Sequence, residues 1–129
     1  MKLKFTGSEI KPYIEMKIQE LEKQKNELNW WITSTENKLI DLTTMYKKES
    51  FWYRLWNCEP SYASVIDGYD ECDGIDKLLA LDEMGKQQNR VVRLQREIER
   101  LHQYLLAIDD FSEVILEEDD INYYKIKSQ

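Results

Sequence analysis

Few residues of this chain have the types and spacing that chemistry requires, and the densest group is the acidic segment DGYDECDGID. An EF-hand calcium loop needs oxygen ligands at positions 1, 3, 5 and 12 around a glycine at position 6. With Gly74 at position 6, Glu71 and Asp73 fall at positions 3 and 5, but Tyr69 and Ala80 occupy positions 1 and 12. Two of the required carboxylates are missing, so the sequence predicts no metal site here.

The cysteines and the histidine are the other candidates for chemistry. A structural zinc site needs four Cys or His ligands at short spacing, and the chain contains Cys58, Cys72 and His102 alone. A Cys–His catalytic pair has no local support, because acidic neighbours disfavour the reactive thiolate. With no Gly-rich phosphate loop, we expect neither an enzyme nor a cofactor. We expect both cysteines to be reduced, with a disulfide as the alternative.

The net charge of −7 is distributed unevenly along the chain. Segments 55–76 and 107–124 hold 13 of the 25 acidic residues and no Lys or Arg. An arginine stripe at Arg93, Arg96 and Arg100 is typical of the solvated face of a helix. Together with a pI near 4.8, this argues against nucleic-acid binding. The acidic segments either stay solvated or meet a basic surface on a partner.

Heptad patterns predict a first long helix over 11–49. Two series that recur every seven residues begin at Ile14 and four residues later, and eight of their ten positions are Ile, Leu or Tyr. Such positions form a narrow apolar stripe, here called the seam. The two exceptions, Lys25 and Thr35, are of the kind that sets helix register. Pro12 is tolerated only in a first turn, which favours a start near residue 11.

A second heptad pattern predicts a helix over 75–109, in which Gln87 is the polar exception in the seam. Gly85 weakens this helix and marks a kink or a break.

Segment 1–6 alternates polar and apolar residues, as a strand does. Segment 110–129 is predicted to form a strand and then a short helix, with a β-hairpin as the alternative. Both strands fall at the same end of the helices, where they could pair.

These elements predict one mainly α domain over 1–129. Its centre is an antiparallel, coiled-coil-like hairpin of long helices with short N- and C-terminal strands. One hairpin leaves part of both seams uncovered, so we expect a homodimer or higher oligomer that forms a helical bundle.

The connector over 50–74 begins with SFWYRLW, and its side chains would point in nearly every direction around a helix. Ser50 is a predicted N-cap, which implies a break in the long helix at this point. The rarity of large exposed apolar patches on monomers favours a plug folded back over the hairpin core. The alternative is an anchor for a partner, because Trp, Tyr and Arg dominate interface hot spots. Trp30 favours the anchor, since it projects away from the seam. The candidate partner-binding residues are Trp30, Phe51, Trp52, Tyr53, Arg54, Trp56, Asp67, Asp70, Glu71, Asp73, Glu117, Glu118, Asp119 and Asp120.

Two classes of function remain open. The first is a non-enzymatic protein–protein interaction module that occludes or sequesters a larger macromolecule, with a structural coiled-coil subunit as a close variant. In general character the small, acidic, Gly-poor chain resembles phage-encoded inhibitors of host or defence proteins. No motif carries that likeness, and no site residue is transferred from it. The second class is a small-ligand binder with an aromatic-lined pocket. Without a signal peptide or a membrane-length apolar run, a cytoplasmic location is expected.

Overall fold

The structure is a computed structural model that describes residues 2–66, 68 and 74–126, and of positions 74 and 76 only the backbone. Its elements are β1 (Leu3–Thr6), α1 (Gly7–Lys48), α2 (Phe51–Trp56), α3 (Tyr62–Ile66), α4 (Gly74–Ala107), β2 (Glu113–Leu116) and α5 (Glu118–Tyr123). The predicted long helices, the terminal strands and the short C-terminal helix are confirmed. The chain divides into two compact units, unit 1 (Met1–Lys25 with Arg93–Gln129) and unit 2 (Asn26–Val92).

Unit 1 contains a two-stranded sheet packed with the first half of α1 and the second half of α4. β1 and β2 pair antiparallel, from Leu3 opposite Leu116 to Thr6 opposite Glu113. The sequence predicted that the two strands could pair, but neither the direction nor the register of the pairing. The two helices run antiparallel here, since Lys25 Nζ donates to Gln95 Oε1 and, three residues earlier in α1, Glu22 Oε1 lies 3.9 Å from Nε2 of His102, seven residues later in α4. Seam residues of both helices form the core together with Ile10 near the start of α1 and two residues of the C-terminal segment, Leu116 and Ile126. These buried residues are Ile10, Ile14, Ile18, Leu21, Leu94, Ile98, Leu101, Ile108, Leu116 and Ile126.

Helix α1 begins at Gly7, four residues before the predicted start. A capping box explains the early start: Glu9 N–H donates to Thr6 Oγ1 at 3.3 Å, and Thr6 N–H donates to Glu9 Oε1 at 3.3 Å. The T-x-x-E spacing of this box is visible in the sequence. Pro12 therefore lies beyond the first turn, where its missing N–H removes one helical hydrogen bond. The predicted start of α1 at residue 11 was wrong because the hydrogen bonds of this cap offset the helical hydrogen bond lost at Pro12.

Gly7 is required where α1 starts because the chain after α4 approaches its backbone closely. Its N–H donates to Ser112 O at 2.9 Å. A Cβ atom at Gly7 would lie 1.8 Å from the carbonyl oxygen of Asp109 and 2.6 Å from Ile108 Cγ2. Glycine is the residue that permits such an approach.

Unit 2 contains the second half of α1, the short helices α2 and α3, and the first half of α4. α4 runs through Gly85 without a break, so the alternative of an interrupted helix is wrong. Among the residues that the structure describes, the core of this unit is smaller and includes polar side chains. The buried ones are Ile32, Thr35, Ala63, Ser64, Ala80 and Met84.

The polar seam residues of unit 2, Thr35 and Gln87, differ in how many of their side-chain polar atoms form hydrogen bonds. Thr35 Oγ1 donates to Trp31 O at 2.7 Å within its own helix, so this bond carries no information on helix register. Gln87 Nε2 donates to Glu83 Oε1 at 2.9 Å. Among the residues that the structure describes, Gln87 Oε1 is buried without a hydrogen-bond partner. An unmet buried acceptor of this kind lowers stability.

Cys58 is disulfide-bonded rather than reduced as expected. The expectation rested on the general rarity of disulfides inside cells, and sequence spacing does not reveal which side chains a fold brings together. The other cysteine, Cys72, lies outside the described residues.

Candidate protein-interaction surface

Helix α2 is exposed along its whole length. None of its six residues is buried, and its large side chains expose 45–81% of their surface. We call Phe51, Trp52, Tyr53, Leu55 and Trp56 the α2 surface. The favoured interpretation, a plug folded over the core, is therefore wrong for the single chain, because a plug would be covered.

Both ends of α2 are capped by polar side chains, which explains why so short a helix forms. Ser50 Oγ accepts a hydrogen bond from Tyr53 N–H at 3.3 Å, which confirms the predicted N-cap. At the other end, the backbone N–H and the side-chain Nδ2 of Asn57 donate to Tyr53 O at 3.0 and 2.9 Å. The caps satisfy backbone groups that a short helix otherwise leaves to water.

Tyr46 attaches α2 to the last turns of α1. Its hydroxyl donates to Arg54 O at 2.8 Å and also lies 3.2 Å from Asn57 O, so a single proton is shared between two carbonyl oxygens. Its ring centroid is 6.5 Å from that of Tyr53. The sequence identified Tyr46 as a seam residue and missed this positioning role. The signal was its hydroxyl, which needs a partner when the ring packs.

The aromatic side chains of α2 present a sizeable apolar area. Phe51 and Trp52 pack edge to face with centroids 5.6 Å apart, an arrangement that aromatic pairs prefer. A large aromatic residue buries 150–250 Å². The exposed fractions of 63%, 67% and 81% at Phe51, Trp52 and Trp56 therefore correspond to roughly 400 Å². This is about half of one partner's share of a standard protein interface.

The structure does not place Trp30 beside α2. Trp30 is 72% exposed, as the sequence predicted for a single hairpin. It precedes Tyr46 by sixteen residues, which is roughly 24 Å along α1 and nearly the opposite side of the helix. The acidic connector candidates lie outside the described residues. They are Asp67, Asp70, Glu71 and Asp73.

The tail acids form the first turn of α5 in unit 1. Glu117 is the N-cap, and its N–H donates to Asp120 Oδ2 at 3.2 Å. Glu118 and Asp119 follow in the first turn, and all four are exposed. Carboxylates at a helix N-terminus are stabilising. Helix capping therefore accounts for Glu117 and Asp120 without a partner.

A second exposed apolar surface in unit 2 was missed by the sequence reasoning. Ile75, Leu78 and Leu79 share one face of α4 at helical spacing, and Leu81 lies near them. Their side chains are 56–68% exposed. The sequence did carry a signal for this surface, because these three apolar residues are spaced i, i+3, i+4 and lie outside the heptad seam. We call these four residues the α4 surface.

Within the described part of the chain, no group of three or more His, Cys, Asp or Glu side chains could hold a metal ion. No helix there is both long and apolar enough to cross a membrane. The chain was also compared with protein-family models, with curated proteins and with solved structures, and none of the three comparisons found a match.

Proposed function

We propose that this protein is a non-enzymatic interaction module and that α2 anchors it to a protein partner. The observation that carries the proposal is the exposure of every large side chain of a capped helix that Tyr46 holds in place. Trp, Tyr and Arg supply most hot-spot energy at interfaces, and α2 contains all three types. A helix that is already formed and capped before binding also loses less entropy on binding than an unordered segment does.

The partner we propose is a larger macromolecule with a basic surface, which the protein occludes or sequesters as an inhibitor. The net charge of −7 supports this complementarity. Long-range attraction between opposite charges speeds association and makes it depend on salt. A role against a host or defence protein, of the phage-encoded kind, stays a prediction, as does a cytoplasmic location.

A homo-oligomer is the second candidate, in which a second copy covers the exposed apolar residues. The α4 surface supports it, because large exposed apolar patches on soluble chains commonly mark interfaces. A helical bundle or a structural coiled-coil subunit would use these residues. A small-ligand pocket lined by the α2 aromatics has less support, because Trp52 and Trp56 are exposed rather than recessed.

The test compares the double variant Trp52→Ala/Trp56→Ala with the single variant Trp30→Ala. Each tagged protein is incubated with lysate of the source organism, and captured proteins are identified by mass spectrometry. The identified partner is then purified and its affinity for each variant is measured by calorimetry. Trp30 is the matched control because it is an exposed tryptophan of the same unit on the far side of α1.

We expect the double variant to weaken partner binding at least 100-fold, since hot-spot residues each contribute 2 kcal/mol or more. The Trp30→Ala variant should bind as wild type does, and circular dichroism should show all three proteins folded. Light scattering during size exclusion separates the two candidates. Self-assembly would be favoured over a foreign partner by two results together. The native mass would equal two or more copies of the 15.6 kDa chain, and the double variant would have a lower native mass than wild type.

A further inference from the structure

Unit 1 has a surface pocket of about 300 Å³ that none of the roles described above uses. It lies between the first half of α1 and the residues that follow α5. Its size is at the lower end of the range for small-molecule sites. The lining residues are Tyr13, Met16, Lys17, Glu20, Tyr124 and Lys125.

Lys17 brings a largely buried cation to this pocket. Its side chain is only 13% exposed, and its ammonium lies 4.5 Å from the centroid of the Tyr123 ring. Within the described part of the chain, the one carboxylate near it is Glu20, with Oε2 at 3.6 Å from Nζ, which is longer than a hydrogen bond. An ammonium has three N–H donors, so Lys17 has donors left for an anionic ligand.

Lys125 reaches the pocket from a strained backbone position. Its φ angle of 54° is left-handed, in a Schellman motif where Lys125 N–H donates to Asn122 O at 3.2 Å and Ile126 N–H to Ile121 O at 3.0 Å. Glycine is the usual residue there. The lysine side chain instead places Nζ 3.1 Å from Glu20 Oε1. Strained positions of this kind cluster at functional sites.

The charges of the pocket select the class of ligand. The hydrogen bond from Lys125, and then the nearby Lys17, lower the pKa of the Glu20 carboxyl, so the pocket holds two cations and one anion at neutral pH. A monoanion neutralises the remaining positive charge, whereas a dianion leaves negative charge within a chain of net −7. Tyr13, Met16 and Tyr124 supply an apolar lining beside the charges.

We propose that this pocket binds a small carboxylate with a flat apolar body. The carboxylate takes the free donors of Lys17 and Lys125, and the flat body lies against Tyr13, Met16 and Tyr124. The proposal is independent of the role of α2. The competing explanation is that Lys17, Glu20 and Lys125 serve only to tie α5 to α1.

Methyl signals of methionine allow a direct test on the whole chain. Met16 lines the pocket, while Met45 and Met84 belong to unit 2 and serve as internal references. The protein is labelled with ¹³C at methionine methyl groups and titrated with phenylacetate. Benzyl alcohol tests the need for the charge, acetate tests the need for the ring, and phenyl phosphate tests the preference for a monoanion.

We expect a saturable shift at Met16 alone, with a Kd on the order of 1 mM for so small a probe. The other three compounds should bind at least tenfold more weakly. Equal binding of benzyl alcohol, equal or tighter binding of phenyl phosphate, or no saturable shift at Met16 would overturn the proposal.

The variant Lys125→Gly removes one cation while giving the backbone the residue it favours, so the fold is retained. Lys23→Gln is the control, because Lys23 is an exposed lysine of α1 outside the pocket. Phenylacetate should bind Lys125→Gly at least threefold more weakly and Lys23→Gln with unchanged affinity. An unchanged Kd in Lys125→Gly would assign this lysine to the tie between α5 and α1 alone and refute the proposed site.

Discussion

Unit 1 and unit 2 are similar in length but bury very different amounts of apolar surface. Of the fourteen buried hydrophobic residues among those described, ten belong to unit 1 and four to unit 2. Of the eighteen exposed large hydrophobic residues in the same part of the chain, thirteen belong to unit 2. Unit 1 therefore has the larger core, and unit 2 retains apolar surface that a partner could cover.

The difference follows from what covers the long helices in each unit. In unit 1 the strands and the residues after α5 contribute large buried side chains, Leu116 and Ile126. In unit 2 the short helix α3 buries only Ala63 and Ser64, and α2 buries nothing. Since stability scales with the apolar area removed from water, unit 1 should be the more sensitive to truncation of its side chains.

The largest expected contrast is between Leu101→Ala in unit 1 and Trp56→Ala in unit 2. Leu101 is 1% exposed, and Trp56 is 81% exposed. Leu101→Ala should lower the free energy of unfolding by about 2–5 kcal/mol through the cavity it creates. Trp56→Ala should change it by less than about 0.5 kcal/mol. Urea unfolding followed by circular dichroism measures both, and equal losses would contradict the division between core and surface.

Two glycines in helices, Gly7 of α1 and Gly85 of α4, provide the next contrast. Gly7→Ala should lower the free energy of unfolding by at least about 1–3 kcal/mol, because its Cβ would overlap the Asp109 carbonyl oxygen. At Gly85 a Cβ meets nothing within 4 Å, so Gly85→Ala should raise it by up to about 1 kcal/mol. Thermal unfolding of both variants checks the opposite signs. A stable Gly7→Ala protein would disprove the close approach.

Replacing either of two half-buried glutamines of α4 by methionine should change the free energy of unfolding, with opposite signs at the two positions. Gln87 Oε1 in unit 2 has no partner among the described residues, so Gln87→Met should raise the free energy of unfolding by roughly 1 kcal/mol. Gln95 Oε1 in unit 1 accepts from Lys25, and Gln95→Met should lower it by a similar amount. Chemical denaturation of the two variants measures both changes. Stabilisation by both would mean that the Lys25–Gln95 bond contributes nothing.

The smallest expected effect is on the pH dependence of the protein's stability. The pKa of Glu20 is lowered from 4.5, chiefly by the hydrogen bond from Lys125. A carboxyl with a lowered folded-state pKa stabilises the protein above its ordinary pKa, and that contribution is lost as pH falls through the folded-state value. Exposed ion pairs contribute less than about 1 kcal/mol. Melting temperatures between pH 6 and pH 3 should therefore fall slightly less in Glu20→Gln than in wild type.

Most elements of the fold were predictable because they depend on local sequence. Heptad spacing located both long helices, and the hydroxyl of Ser50 located the start of α2. The start of α1 was misplaced, although Thr6 and Glu9 carry a local cap. Part of the reason why α1 starts at Gly7 lies far along the chain, since the Gly7 N–H donates to Ser112 O.

The sequence by itself determined the amphipathic helices, the capped turns and the acidic charge, because each depends on residues within a few positions of one another. Only the tertiary structure decided that α2 is exposed rather than folded over the core, because Tyr46 holds its backbone from α1. It also brought Lys125 to Glu20 across more than a hundred residues of sequence. Such contacts depend on how the chain packs, and residue spacing alone does not encode them.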